Sequence, residues 1–290
     1  RARPLPPVIP SALDPDLGDE GEFVLSNVTQ SHLALPDSRP IRELRVFQIL
    51  PKSETHVSNK PRVGYANAES ARMLLGTVPV EPDGSAYFRA PARKPLAFQA
   101  VDATGRAVQG MRSVTYLQPG ERRGCVGCHE PRGTSPLPEM TIAFQRKPSE
   151  IMPGPDGSRP WSFLRLVQPV LDDHCVACHD GDRHPLDLTD RPAGEFTVSY
   201  ESLREYARWF EWGEQTIDDI VTRPGHMPAD ESPLTEILQT SHATRINLTG
   251  EELRRIYLWL DGNAAFYGTY KEERRVAQRE GKAVPPPSLQ

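Results

Sequence analysis

Cysteine is scarce in this chain: its 290 residues include four cysteines, and all four belong to two short copies of one pattern. Long apolar runs are absent as well, because no stretch reaches the ~18 apolar residues that a membrane-spanning helix needs. The chain has no excess of positive charge either, since 34 basic side chains stand against 39 acidic ones and leave a formal net charge of -5. We therefore expect neither a membrane span nor nucleic acid as a partner.

Apolar residues are few, and residues that interrupt regular structure are many. The hydrophobic fraction is 37%, whereas the sequence holds 30 prolines and 21 glycines. This composition indicates a loop-rich protein with small cores, which bound cofactors can supplement. The length allows two modest domains.

The two cysteine patterns have the form Cys-x-x-Cys-His, which is the attachment signature for c-type haem. They are Cys125-Val126-Gly127-Cys128-His129 and Cys175-Val176-Ala177-Cys178-His179. Two thiols three positions apart can add to the two vinyl groups of one porphyrin, and the adjacent histidine then reaches the iron. The sequence therefore predicts two covalently bound haem c groups, whose proximal iron ligands are His129 and His179.

A zinc site, a dithiol redox pair and two disulfides are the alternative interpretations of these cysteines. None of them explains why a histidine follows the second cysteine in both copies, and the cysteine pairs of zinc ribbons usually lie closer together. Covalent haem attachment takes place on the oxidising side of a membrane, so we expect an exported protein, periplasmic or otherwise extracytoplasmic. The start at Arg1, without a basic and apolar leader, fits a mature product.

Residues 1–20 are rich in proline and lack periodicity, which indicates an extended arm. Residues 21–135 carry short β-type runs, separated by turn signals such as Pro82-Asp83-Gly84. The runs are Ile41 to Leu50, Leu75 to Val80, Ala86 to Arg89, Leu96 to Val101 and Val114 to Leu117. We predict a small N-terminal β-sandwich or barrel that carries haem one.

Residues 136–160 have the composition of a proline-rich linker, and residues 161–270 change to helical spacing. One helix is predicted from Trp161 to Asp173, ahead of the second motif, and another opens at Thr249-Gly250-Glu251-Glu252. Two helices that bracket such a motif are typical of a mostly helical cytochrome c-like domain, which would carry haem two. The predicted fold class is therefore α+β, with a polar tail over residues 271–290.

Several short segments carry a wider resemblance. They are Gly76 to Glu81, Asp83 to Phe88, Met111 to Tyr116 and the first haem motif, followed later by Trp259 to Asp261 and Phe266 to Tyr270. Together they resemble the middle region and the cytochrome end of hydrazine synthase alpha-subunit-like proteins, and the resemblance implies a two-domain architecture with two haems. In that family a tyrosine four residues beyond the motif histidine binds the catalytic haem. That position is Gly133 here, so we expect no hydrazine synthesis by this chain alone.

The sixth ligand of each iron decides between electron transfer and reaction with a substrate, because a filled axial position leaves no room for a substrate. For haem two the preferred candidate is His242, which precedes the last helix, and Met227 and His226 are alternatives. For haem one the preferred candidate is His56, which follows a strand of the β unit, and His32 is second.

These features predict an extracytoplasmic dihaem protein that transfers electrons between redox protein partners or other subunits of an electron-transfer complex. We therefore expect an electron carrier or an electron-transfer subunit in preference to a stand-alone enzyme. One alternative is a dihaem oxidoreductase in which an open haem acts on a small nitrogen or oxygen compound, or a subunit that feeds electrons to such a complex. Another is an interaction module whose haems only staple the fold. The oligomeric state stays open.

Overall fold

The computed structural model describes residues 12–55, 60–67, 69–128, 133, 135, 140–211, 217 and 222–287. The strands are β1 (Glu20–Leu25), β2 (Ile41–Ile49), β3 (Arg72–Pro79), β4 (Ala86–Pro91), β5 (Leu96–Asp102), β6 (Ala107–Gly110), β7 (Arg122–Cys125), β8 (Arg159–Pro160), β9 (Pro192–Ala193) and β10 (Phe196–Thr197). The helices are α1 (Phe163–Leu166), α2 (Gln168–His174), α3 (Val198–Leu203), α4 (Pro228–Glu231), α5 (Pro233–Gln239), α6 (Gly250–Asp261) and α7 (Glu272–Arg279). Short 3-10 helices span Pro15–Leu17, Ala143–Gln145 and Arg204–Tyr206.

Two sheets face each other in the first half of the chain. The larger has the strand order β6-β5-β2-β3-β8 and is antiparallel. The smaller has the order β4-β1-β7, in which β1 runs antiparallel to β4 and parallel to β7. Phe98 of β5 meets the stacked rings of Phe23 and Phe88 in the smaller sheet, with centroids 5.1 and 5.8 Å away. These aromatic contacts hold the two sheets together on one side of the space between them.

The second half of the chain packs short helices around an aromatic cluster. The ring of Phe163 in α1 lies at its centre, 5.2 Å from Tyr200, 5.4 Å from Trp259 and 5.5 Å from Phe266, measured between centroids. All four rings are buried. The longest helix, α6, begins with a capping box in which Thr249 and Glu252 satisfy each other's backbone N–H groups. A third sheet, formed by β9 and β10, completes this half.

The second half docks on the five-stranded sheet. The Trp161 backbone N–H donates to the carbonyl of Arg72 in β3 at 2.9 Å. On the neighbouring strand, Arg45 of β2 forms an ion pair with Asp261 of α6 at 3.2 Å. Residues from both halves belong to one hydrophobic cluster. The helices therefore cover the sheet and do not stand apart from it as a separate bundle.

The predicted α+β fold, with a mostly helical cytochrome c-like domain over residues 161–270, is wrong. Three sheets form the framework of the described residues, and the longest helix has only 12 residues. The helix predicted from Trp161 to Asp173 is two helices of 4 and 7 residues that meet at Val167. Pro169 explains the break, because it has no N–H to donate to a carbonyl of the preceding turn. The apolar residues of α1 and α2, whose spacing suggested a helical domain, belong to the hydrophobic cluster that they share with the sheet.

The domain boundaries proposed from the sequence stay predictions. Residues 1–11 of the arm lie outside the described residues. In the segment predicted as a linker, β8 adds to the five-stranded sheet and Met152 bridges to Thr77. In the predicted tail, α7 places the Arg275 guanidinium over the Tyr267 ring, 4.3 Å from its centroid. None of the described helices is both long and apolar enough to cross a lipid bilayer.

Candidate functional site

The second Cys-x-x-Cys-His motif begins where α2 ends and continues the helix by about one turn. The Cys175 N–H donates to the Leu171 carbonyl at 2.8 Å, and the His179 N–H donates to the Cys175 carbonyl at 2.9 Å. Positions i, i+3 and i+4 share one face of a helical turn, so Cys175, Cys178 and His179 lie on the same side. Two thioether bonds and one axial imidazole to a single haem need this arrangement.

The Cys175 thiol does not have the lowered pKa of a redox-active dithiol, and the described cysteine pairs are not arranged as a zinc ribbon. None of the four cysteines forms a disulfide with another described residue. Burial, with the nearby Asp172 carboxylate, raises the pKa of the Cys175 thiol to about 11, whereas reactive dithiols have lowered pKa values. Within the described ranges no group of three or more His, Cys, Asp or Glu is placed to hold a metal ion, so the two cysteine pairs do not meet in one four-sulfur site.

Two further histidine rings contact His179. His184 approaches edge-on with its centroid 4.6 Å away, and His242, between α5 and α6, lies at 6.2 Å with the ring planes tilted by 32°. Two imidazoles bound on opposite sides of one metal, each at a metal–nitrogen distance of about 2.0 Å, have ring centroids roughly 6 Å apart. The spacing of His179 and His242 therefore fits axial ligation of one iron from both sides.

The His179 side chain has a bonding capacity that the described residues do not use. Its Nδ1 atom is buried and has no hydrogen-bond partner among them. Burial lowers the pKa of this imidazole, and the nearby His184 and His242 lower it further. A lowered pKa favours the neutral imidazole, which is the form that binds a metal. An unsatisfied buried nitrogen costs free energy, which a bound partner would recover.

The first motif follows β7 at an edge of the smaller sheet. The backbone N–H of Ser26 donates to the Cys125 carbonyl at 2.9 Å, next to the parallel pairing of β7 with β1. Gly127 passes so close to Gln30 that a Cβ would overlap the Gln30 carbonyl oxygen. These contacts fix the backbone that carries the first thiol pair. His129 lies outside the described residues.

A cavity of about 390 Å³ lies between the two facing sheets and reaches both cysteines of the first motif. Its walls are mainly apolar and include Phe23, Leu25, Leu44, Phe88, Phe98 and Ala100. Cavities of this size and character hold small-molecule cofactors. Because the cavity wall is apolar and Cys125 and Cys128 stand at its edge, the residues present fit a covalently attached porphyrin.

For the second motif, the structure brings His242 against His179 and leaves the alternative ligands elsewhere. Met227 is buried and lines a separate polar cavity of about 230 Å³. His226 is exposed, and its ring pairs with Glu231 at 2.8 Å. The larger cleft of about 640 Å³ beside α2 and α6 is lined by no cysteine or histidine, so it belongs to neither motif.

For the first motif, the ligands considered from the sequence do not line the cavity. His56 lies outside the described residues, and His32 is exposed. Sequence reasoning missed Gln109 and Met111, two residues apart at the end of β6, which both line the cavity. Their alternate spacing on a strand was the signal that could have found them, since such residues share one face of a sheet.

The chain is similar to hydrazine synthase subunits. The family model for the hydrazine synthase alpha subunit middle domain matches residues 40–130, which include β2 to β7 and the first haem motif. Hydrazine synthase subunit alpha of Kuenenia stuttgartiensis is 26% identical in a match that covers 47% of this chain and 23% of that protein. The chain therefore spans about a quarter of this curated relative.

A solved structure of Kuenenia stuttgartiensis hydrazine synthase has a similar fold. The match has a TM-score of 0.59 at 19% sequence identity, and it covers 93% of this chain and 44% of that chain. The structural similarity thus extends beyond residues 40–130 into the helices that cover the sheet. At this identity the match describes the fold alone.

Proposed function

We propose that this chain carries two covalently attached haem c groups and transfers electrons between redox partners, as a subunit of a complex that acts on a nitrogen compound. The observation that carries the proposal is the 6.2 Å spacing of the His179 and His242 rings beside a thiol pair on one helical turn. The similarity to hydrazine synthase subunit alpha supports the assignment to a complex.

At the second site, Cys175 and Cys178 would hold the porphyrin, and His179 and His242 would bind the iron from its two sides. A bound haem supplies a one-electron redox couple at this position. With both of these side chains bound, the iron would have no open position for a substrate. Because Cys178 is exposed, the attachment edge lies at the protein surface, where a redox partner can approach.

At the first site, Cys125 and Cys128 would hold the porphyrin in the cavity between the sheets, with His129 as the proximal ligand. The wall of this cavity is mainly apolar and includes Phe98. Low polarity around an iron site tunes its potential and restricts which molecules enter. His56 is the distal ligand expected for a pure electron carrier.

A second candidate function is an oxidoreductase in which the first iron stays open to a small nitrogen or oxygen compound. The observation that favours it is the cavity itself, which extends from the thiol pair between the two sheets. Under this alternative the second site feeds electrons to the first. Both functions require export, because thioether attachment of haem takes place outside the cytoplasm.

The test is expression of the full chain with an export signal and the c-type haem attachment machinery. We expect two haems per chain by pyridine haemochrome assay, and one when Cys175 and Cys178 are both replaced by serine. Two low-spin ferric signals in the paramagnetic resonance spectrum identify the carrier, whereas one high-spin signal that cyanide abolishes identifies the oxidoreductase. A purified, folded chain without covalent haem would refute both.

A further inference from the structure

Gln109 is a polar side chain in the otherwise apolar wall of the cavity at the first motif. It lies in β6, where it pairs with Ala100 of β5, and Ala100 in turn pairs with Leu44 of β2. All three residues line the cavity, so this face of the larger sheet forms one of its walls.

The orientation of the Gln109 carboxamide is set by its neighbour. Its Nε2 donates to the carbonyl oxygen of Thr222 at 3.3 Å. A flipped amide would place two oxygens against each other there, so the nitrogen must face Thr222. The carboxamide oxygen is then the atom that takes no part in the contact with Thr222. It is buried in a side chain only 1% exposed, and it has no hydrogen-bond partner among the described residues.

A porphyrin in this cavity would not satisfy that oxygen. Ionised propionates only accept hydrogen bonds, and the pyrrole nitrogens of a haem are occupied by the iron. An unsatisfied buried carboxamide oxygen is costly, and the apolar wall around it offers no donor. A small molecule in the cavity that carries an N–H or O–H group can supply the missing donor.

We propose that Gln109 recognises a small ligand that carries an N–H or O–H group, by accepting a hydrogen bond from it in the cavity beside Cys125 and Cys128. This inference rests on the proposed haem at the first motif and deepens the oxidoreductase alternative, because it names the chemical class of molecule that the cavity selects. A ligand without hydrogen on its donor atoms gains nothing from Gln109. The residue thus discriminates between ligands of similar size.

The test compares two ligands of ferric haem in the full-length holoprotein. Methylamine keeps N–H groups on the atom that binds iron, and cyanide has no hydrogen. We expect Gln109→Leu to weaken methylamine binding by about tenfold, the value of one good hydrogen bond. Cyanide binding should change by less than about twofold.

Gln48→Leu is the matched control, because Gln48 is a buried carboxamide of β2 that does not line the cavity. It should leave both affinities unchanged. Haem content and melting temperature of each variant show whether the site is still formed. Equal loss of both ligands in Gln109→Leu, no loss of either, or an iron in the wild type that binds neither ligand would each overturn the inference. A wild type without haem on Cys125 and Cys128 would overturn the proposed function as well.

Discussion

Arg45 of β2 and Asp261 at the end of α6 form a buried ion pair, with Nη1 3.2 Å from Oδ2. Asp261 also accepts hydrogen bonds from the backbone N–H groups of Ala107 at 2.7 Å and Ala229 at 3.0 Å. One carboxylate therefore joins two strands of the larger sheet to α4 and α6. This link is one of the polar contacts that hold the second half of the chain on the sheet.

Arg45→Met should destabilise the protein strongly. Removal of the guanidinium leaves the Asp261 carboxylate buried without its counter-charge, and breaking a buried pair in this way costs about 3 kcal/mol or more. The free energy of unfolding, measured by urea titration, should fall by that amount. Combining it with Asp261→Leu should cost less than the sum of the two single changes, since the second change removes the uncompensated charge.

The matched control lies on the same two elements. Arg254 of α6 pairs with Glu43 of β2 at 2.8 Å, but its side chain is 41% exposed. Water already screens this pair, so Arg254→Met should cost less than about 1 kcal/mol. If the two arginine variants lose equal stability, burial does not distinguish the pairs and the explanation offered for Asp261 is wrong.

The stability of the protein should also depend on the ionisation of Asp261. Burial raises the pKa of this carboxyl from 3.8 to about 6, against the opposing attraction of Arg45. The folded state therefore holds the proton more tightly than the unfolded state does. The stability that this group contributes is fully present below pH 3.8 and is lost as the pH rises through about 6.

Comparison with Asp261→Asn measures this effect, because the amide does not ionise. The unfolding free energy of the wild type should decline relative to that of the variant as the pH rises through this range. Other carboxylates titrate alike in both proteins and cancel from the difference. Parallel stability curves for the two proteins would show that Asp261 titrates at its ordinary pKa.

Strands with apolar alternation and tight local turns could be predicted from the sequence. The runs proposed for β2, β3, β4 and β5 are confirmed, and Gly84, in the turn between β3 and β4, has a φ of +82° that favours glycine. The run from Val114 to Leu117 forms no strand, only a bridge from Thr115 to Leu96. The side chains of Val114 and Tyr116 are exposed, so burial against a sheet does not favour a strand at this position.

Other strands could not be predicted, because their pairing is not local. The sequence of β7 is Arg122 to Cys125, which contains two charged residues and a glycine and has no apolar alternation. It becomes a strand through parallel pairing with β1, far away in the chain. Parallel strands need long connections, and these leave no short-range signal.

For the candidate sites too, local patterns in the sequence named some residues, but the contacts between distant residues could not be predicted. Cysteine spacing alone gave both thiol pairs, and the place of His242 ahead of α6 suggested it as a ligand. Its contact with His179 depends on packing that spacing does not show. His174 Nε2 lies 2.9 Å from the Glu252 carboxylate, which joins the end of α2 to the start of α6. Because His174 directly precedes the second motif and His242 precedes α6, this contact is close to both ends of the candidate site.

The role of His242 gives the last prediction. If His179 and His242 bind one iron, His242→Ala should turn a low-spin ferric signal into a high-spin one, because an axial position becomes empty. His242→Met should keep the iron low-spin and raise its reduction potential, since a thioether favours the reduced state. Paramagnetic resonance and redox titration of the purified holoprotein measure the two effects.

His184→Ala is the control for this change. His184 also contacts the His179 ring, but it follows that residue so closely in the chain that it cannot reach the opposite side of the iron. Its removal should leave the low-spin signal intact. If the signal of His242→Ala stays low-spin and Met227→Leu produces the high-spin iron instead, the methionine is the ligand. The 6.2 Å spacing of the two rings would then be a packing contact only.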